Sequence, residues 1–152
     1  MLEIITDLPD VEVVIVPIGG AGFASGICIA GKSINPNIEL IGVSSEEAQS
    51  PYLSWQSKEL IEAPTTTFAE GIAVRVSFEG SQEVIRDLLD EYVLVSEDDI
   101  RRAVVQLLEK TNNLAEGAGA APLAAAQVLA NKIKGRKTVL ILLTLIHISE
   151  PT

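Results

Sequence analysis

Apolar and polar positions along the chain alternate between short, mostly apolar runs and helical stripes. VEVVIVP (11–17), apolar but for Glu12, predicts a buried strand. A glycine-rich turn follows, and Phe23 to Ser33 predicts a helix of small and apolar residues that NPN (35–37) stops. IELIGVS (38–44) predicts a second strand. Strand, glycine turn, helix and strand form a βαβ unit, whose crossover is expected to be right-handed. Residues 1–8 read as the last turns of a helix. Residues 46–70 are polar and irregular, with Pro51 and Pro64, and segments of that kind often line or cap a site.

Further on, SQEVIRDLLDE (81–91) predicts a helix capped by Ser81, with Val84, Ile85, Leu88 and Leu89 on one face. YVLVS (92–96) predicts a short strand. Ser96 caps the next helix, whose first turn holds Glu97, Asp98 and Asp99 where they complement the helix dipole. Ile100, Ala103, Val104, Leu107 and Leu108 form its buried stripe. AEGAGAAP (115–122) is a second glycine turn; Pro122 is expected in the first turn of the helix that follows, and Gly135 at its end. KTVLILL (137–143) predicts the last strand. The alternation defines an α/β protein, a three-layer α/β/α arrangement around a mostly parallel sheet. Ligands of such sheets lie beyond the carboxyl ends of the strands, and both glycine turns are candidates for that edge.

Composition narrows the function. A chain of 152 residues fits one domain, and 47% hydrophobic with 4% aromatic residues implies an aliphatic core. A net charge of −10 argues against a nucleic-acid surface, which needs clustered Lys and Arg. The single cysteine, Cys28, and single histidine, His147, leave no internal disulfide and no Cys/His metal cluster. Cys28, in a small-residue helix, reads as a buried structural thiol. The apolar run 139–146 is well short of the roughly 20 residues of a membrane helix, and no signal-peptide pattern opens the chain. A cytoplasmic setting, with neither membrane nor nucleic acid as partner, is the expectation.

The turn Gly19-Gly20-Ala21-Gly22 stands between a buried strand and a helix. Unpaired N–H groups and the positive end of the dipole make a helix start an anion site, and glycines let a phosphate come close. The competing reading is a plain tight turn. The dinucleotide fingerprint G-x-G-x-x-G is missed at its third position by Ser25, and Ser44 and Ser45 stand where an acidic residue should end the second strand. GICIAGKS (26–33) matches the P-loop pattern letter for letter, but it begins inside the predicted helix and its middle is apolar. Lys32 therefore reads as a solvated lysine near a helix end. Glu116, beside Gly117 and Gly119, either serves a site or stabilises the helix dipole. Glu70 and Gly71 are open to the same two kinds of reading, a site or an ordinary turn.

VVIVPIGGAGFASGI, ELIGVSSEEAQS, TFAEGIAV, VIRDLLDEYVLVSEDDI and TNNLAEGAGAAPLAAA, in that order, resemble the later part of threonine dehydratase (threonine ammonia-lyase). That family consists of pyridoxal-phosphate enzymes of the tryptophan-synthase-β fold type, and the resemblance covers nearly all of residues 1–143. It implies that Gly19, Gly20, Ala21 and Gly22 wrap the cofactor phosphate. It also implies that Gly71 lies beside the cofactor ring and Glu116 near cofactor and substrate. The family usually has a fourth glycine where Ala21 stands; its methyl is tolerable if φ stays negative. The implied reaction is deamination of L-threonine or L-serine to a 2-oxo acid and ammonia, with a place in isoleucine biosynthesis and a homo-oligomeric whole protein. Serine racemase and serine dehydratase relatives share the loop. Relatives that bind a divalent cation carry carboxylates where this chain has Ser44 and Ser50, so no metal site is expected.

The family's Schiff-base lysine lies in a Ser-Phe-Lys motif that this sequence does not contain, so no catalytic residue is assigned within it. Residues 1–143 accordingly read as the later half of a catalytic domain, aggregation-prone and inactive alone. After KTVLILL the family continues into Ser-Gly-Gly-Asn, whereas TLIHISEPT (144–152) resembles a translated sequencing adapter, a non-native tail. Two other readings are a Rossmann-like nucleotide-binding domain and a non-catalytic half-enzyme binding module.

Overall fold

A computed structural model describes residues 1–143. The tail reading for 144–152, His147 included, lies outside the described residues. Four parallel strands, β1 (Val13–Pro17), β2 (Glu39–Ser45), β3 (Glu91–Val95) and β4 (Thr138–Leu140), stand in the order β3-β2-β1-β4. Helices α1 (Leu2–Asp7), α2 (Gly22–Ile34), α3 (Ser50–Ser57), α4 (Glu79–Leu88), α5 (Glu97–Thr111), α6 (Gly117–Val128) and α7 (Ala130–Ile133) surround them. A single 3₁₀ turn spans Glu70–Ile72.

The period-two geometry of a strand sorts β1 between two cores. Val13 and Ile15 join Ile41, Val43 and the alanines of α6 on one face; Val14 and Val16 join Leu40, Ile27 and Ile85 on the other. Every β1 residue is buried. At about 1.5–3 kcal/mol per buried Val or Ile side chain, this strand is the anchor from which the glycine turn hangs. The three-layer α/β/α expectation is met: α5 and α6 cover one face, α2 and α4 the other. Ala118, Ala121 and Ala125 let α6 approach the sheet and α5 closely.

Several boundaries differ from the sequence expectation. Helix α3 occupies part of the stretch read as irregular, with Pro51 in its first turn. Helix α4 starts at Glu79 after Phe78, with no side-chain cap. Ser81 lies inside it, and its carbonyl oxygen stands 3.1 Å from the Ser25 hydroxyl oxygen. Pro122 sits in the interior of α6 rather than its first turn, because the helix already opens at Gly117. Helix α6 ends at Val128, and Gly135 lies beyond α7 at φ 79, turning the chain into β4. Leu108 is exposed at 49%, so the α5 stripe is narrower than its pattern. Strand pairing in β4 stops at Leu140, short of 143.

The amino ends of the strands are joined by charge. Lys132 pairs with Glu39 of β2 (2.5 Å) and with Glu91 of β3, Arg136 with Glu39 (2.5 Å), and Lys137 with Asp10. The carboxyl ends carry the glycine turn.

Candidate anion cradle at the carboxyl edge of the sheet

Strand β1 ends at Pro17, and Ile18 keeps one more ladder bond, its N–H donating to the Val43 carbonyl at 2.8 Å. The chain then turns through Gly19, Gly20 and Ala21 into α2. The first helical backbone bond runs from the Ser25 N–H to the Ala21 carbonyl (2.8 Å), and the Ser25 hydroxyl donates to the same carbonyl (2.8 Å). The N–H groups of Gly19, Gly20, Ala21, Gly22, Phe23 and Ala24 meet no backbone acceptor among the described residues. Gly19, Ala21 and Ala24 are buried, where an unpaired N–H is costly. The first turn of α2 holds no acidic side chain. Gly19 to Ala24, with Pro17, Gly71, Ile72 and Leu143, line a cavity of about 110 Å³. A row of unpaired donors at a helix start, with no carboxylate to compete, fits a phosphate group.

Ala21 takes φ 69. The expectation that its methyl is harmless rested on a negative φ, and the structure overturns it: this position needs the left-handed conformation that glycine adopts freely. The other glycines differ in what they spare. A Cβ on Gly19 would lie 2.9 Å from the Gly71 carbonyl oxygen and 3.1 Å from Ile72 Cα, both backbone. A Cβ on Gly20 would meet only the ring of Phe78, at 3.0 Å, and Phe78 is 73% exposed. One on Gly22 would meet nothing closer than the Ser81 hydroxyl at 3.9 Å.

Gly71 is therefore against the cradle, brought there by a strap of residues 65–74. A Cβ on Gly71 would lie 2.8 Å from Ala118 Cβ and 3.0 Å from Glu116 Oε1. Glu116 is the residue that precedes α6, and its side chain makes no capping bond. The structure thus brings Gly19, Gly20, Ala21, Gly22 and Gly71 to one cavity, with the Glu116 carboxylate against the far side of Gly71. Glu116 also borders an open groove with Phe68, Glu70 and Leu114. Glu70 itself is exposed.

One carboxylate fastens the strap. Glu97, the first residue of α5, accepts from the Ser45 hydroxyl at the end of β2, the Thr67 hydroxyl (2.6 Å) and the Phe68 N–H (3.0 Å). Partial burial works against its charge, but those three donors, aided by Arg101, prevail and hold the carboxyl below its ordinary range. The sequence pattern marked Glu97 only as a dipole partner; nothing local in it signals a partner thirty residues away.

The remaining sequence candidates are occupied elsewhere. Lys32 donates to the Ile38 carbonyl (2.8 Å) and pairs with Asp90 (2.7 Å) at the opposite end of the sheet, which removes the P-loop reading. The solvated role expected for it is also corrected, since its side chain is only 17% exposed. Burial pushes the Cys28 thiol up to about 11, as a structural thiol requires. Ser44 donates to the Ile18 carbonyl at 2.6 Å, and Ser50 to the Ile61 carbonyl at 2.7 Å. A larger depression of about 380 Å³ is lined by Glu46, Glu47, Leu53 and Pro64; its two carboxylates, with no basic side chain among the described residues, do not suit a phosphate.

An open parallel sheet with a row of unpaired donors after its first strand defines an α/β protein whose carboxyl edge fits a phosphorylated ligand. The chain belongs to the family described as pyridoxal-phosphate dependent enzyme, whose model matches residues 1–144. It is 46% identical over 125 residues to the L-threonine ammonia-lyase of Geobacter sulfurreducens, covering 82% of this chain and 31% of that one. It is 46% identical over 146 residues to the catabolic L-threonine dehydratase of Escherichia coli (strain K12), covering 93% and 44%. Among solved structures, the processed form of threonine deaminase isoform 2 from Solanum lycopersicum superposes with a TM-score of 0.88 at 29% identity, over 97% of this chain and 42% of that one. The serine racemase of Dictyostelium discoideum superposes with a TM-score of 0.85 at 30% identity, covering 97% and 48%. The chain thus spans less than half the length of these curated relatives.

Proposed function

We propose that residues 1–143 are the phosphate-holding later half of the catalytic domain of a pyridoxal-phosphate-dependent ammonia-lyase. The whole protein would act on L-threonine, with L-serine as the second substrate, giving a 2-oxo acid and ammonia. The observation that carries this reading is the row of unpaired N–H groups from Gly19 to Ala24 on the cavity that also meets Gly71. Pyridoxal phosphate, when bound, supplies the electron sink that lets an amino acid lose its α-proton. This chain's residues do the holding. Gly19, Gly20, Ala21 and Gly22 bind the phosphate, Gly71 leaves room beside the ring, and Glu116 offers a carboxylate next to it. Threonine is favoured because the 46% identical relatives from Geobacter sulfurreducens and Escherichia coli are named as L-threonine enzymes. We place the reaction in threonine breakdown ahead of isoleucine biosynthesis, since relatives from Escherichia coli and Staphylococcus aureus are named catabolic. A cytoplasmic, homo-oligomeric whole protein belongs to the same proposal.

The test is a binding comparison with the purified chain. Pyridoxal phosphate is expected to bind and to be displaced by inorganic phosphate, pyridoxal without the phosphate to bind far more weakly, and L-threonine to yield no 2-oxobutanoate. Preferential binding of NAD would favour a nucleotide-binding domain, and absence of any ligand a purely structural module. Either result would overturn the proposal, as would 2-oxobutanoate formation its catalytic part.

A further inference from the structure

The cradle's first amide is held in place from the opposite side of β2. Ser44, wholly buried near the end of β2, donates its hydroxyl proton to the Ile18 carbonyl at 2.6 Å. A serine hydroxyl has one proton, so the 2.7 Å bond between Ser44 and Tyr92 must be donated by the phenol. The chain is thus polarised in one direction, from Tyr92 O–H to Ser44 O–H to Ile18 C=O, and such chains strengthen each member. Burial pushes the Tyr92 hydroxyl far above its ordinary range, which keeps that donor protonated. Tyr92 belongs to β3, the strand beyond β2, so the connection crosses the sheet.

Ile18 is fixed in three ways. Its N–H is in the ladder with Val43, its carbonyl accepts from Ser44, and its side chain lies over Gly42, where any Cβ would collide with it. The peptide joining Ile18 to Gly19 is planar and trans. Its carbonyl and the Gly19 N–H therefore point in opposite directions, and fixing one aims the other. Gly19 is buried, and its N–H meets no backbone acceptor among the described residues. The phenol is itself held by ring contacts, edge-on to Tyr52 with centroids 5.5 Å apart and 5.7 Å from Trp55.

The geometry points to Tyr92 as a positioning residue for the anion cradle: acting through Ser44, it orients the Ile18–Gly19 peptide and so aims the cradle's first N–H at the ligand. This rests on the phosphate reading of the turn, and the two are separable by experiment. Tyr92→Phe keeps the ring and removes only the hydroxyl. Amide exchange of Ile18 and Ser25, the hydrogen-bonded amides that flank the turn, should rise about fivefold in the ligand-free chain, as expected for one hydrogen bond, while exchange in α5 and emission from Trp55, the only tryptophan, stay unchanged. Inorganic phosphate should bind about fivefold more weakly. If Tyr92→Phe is insoluble, Tyr92→Phe with Ser44→Ala removes both hydroxyls, leaves neither orphaned by the other, and carries the same two measurements. Exchange that is unchanged at Ile18 and Ser25, or that rises equally throughout the chain, overturns the role of Tyr92. A wild-type chain that ignores phosphate overturns the cradle reading, while the exchange comparison still decides whether Tyr92 sets the turn. Faster local exchange with unaltered phosphate affinity also overturns the proposal, since the hydroxyl would then stabilise the turn without aiming it.

Discussion

Ala21 and Gly19 occupy one turn, yet they constrain it for opposite reasons. Ala21 stands at φ 69, where an L side chain costs about 1–2 kcal/mol. Replacing it by glycine removes that strain and adds freedom to the unfolded chain, worth about 0.4–1 kcal/mol in the other direction. Ala21→Gly is therefore expected to raise stability by about 0.5–1 kcal/mol in urea unfolding, with phosphate affinity retained; lower stability would mean the backbone is not left-handed in solution. Gly19 has no positive φ to defend but a close approach, its missing Cβ facing the Gly71 carbonyl at 2.9 Å. Gly19→Ala must push strap and turn apart, costing about 1–3 kcal/mol and weakening phosphate binding at least tenfold. Gly20→Ala meets only the exposed Phe78 ring and is expected to be nearly silent. Calorimetric titration of the three variants with inorganic phosphate ranks them directly.

At the scale of elements, the strap between α3 and α4 depends on Glu97. Its carboxyl is held below the ordinary value of 4.5, so its stabilising contribution is complete above that pH and is lost as pH falls through the lower folded value. The difference in unfolding free energy between wild type and Glu97→Gln, measured in urea from pH 7 to pH 3, should shrink steadily below about pH 4.5. A difference that stays constant to pH 3 would show the carboxylate is not what fastens the strap. The elements themselves were unequally legible. Strand β1 declares itself through an unbroken apolar run and β2 through the apolar stretch Leu40–Val43, and α5 through its serine cap, which accepts from the Asp99 N–H as the pattern requires. Helix α3 was hidden because Tyr52, Leu53 and Trp55 do not fall on one stripe; Pro51 was the available start signal. The start of α4 was misplaced because no polar side chain caps it. The glycine turn was legible as a turn. Its depth beneath Gly71, and the carboxylate beside it, arise from contacts between residues 19, 71 and 116 that no local pattern carries.

Across the whole molecule, the paired charges and the proposed phosphate cradle lie at opposite ends of the sheet. The Lys132, Arg136 and Lys137 pairs join the amino ends of the strands, and the cradle lies at the carboxyl ends. Lys132 is 42% exposed, so Lys132→Met is expected to cost only about 0.5–1 kcal/mol, read from its urea midpoint. Phosphate affinity should not change, and a change would show that the two ends are coupled through the strands. The lack of charged side chains around the cavity, among the described residues, has a further consequence. Each described residue that lines it is a glycine, an alanine, a proline or an apolar side chain, and peptide N–H groups do not titrate in the physiological range. Binding at this turn should accordingly follow the ionisation of the guest. Affinity for a phosphate monoester should climb as its second proton leaves, near about pH 6, and then remain level through about pH 8. The host would register whether its ligand is a monoanion or a dianion while its own lining stays electrically unaltered.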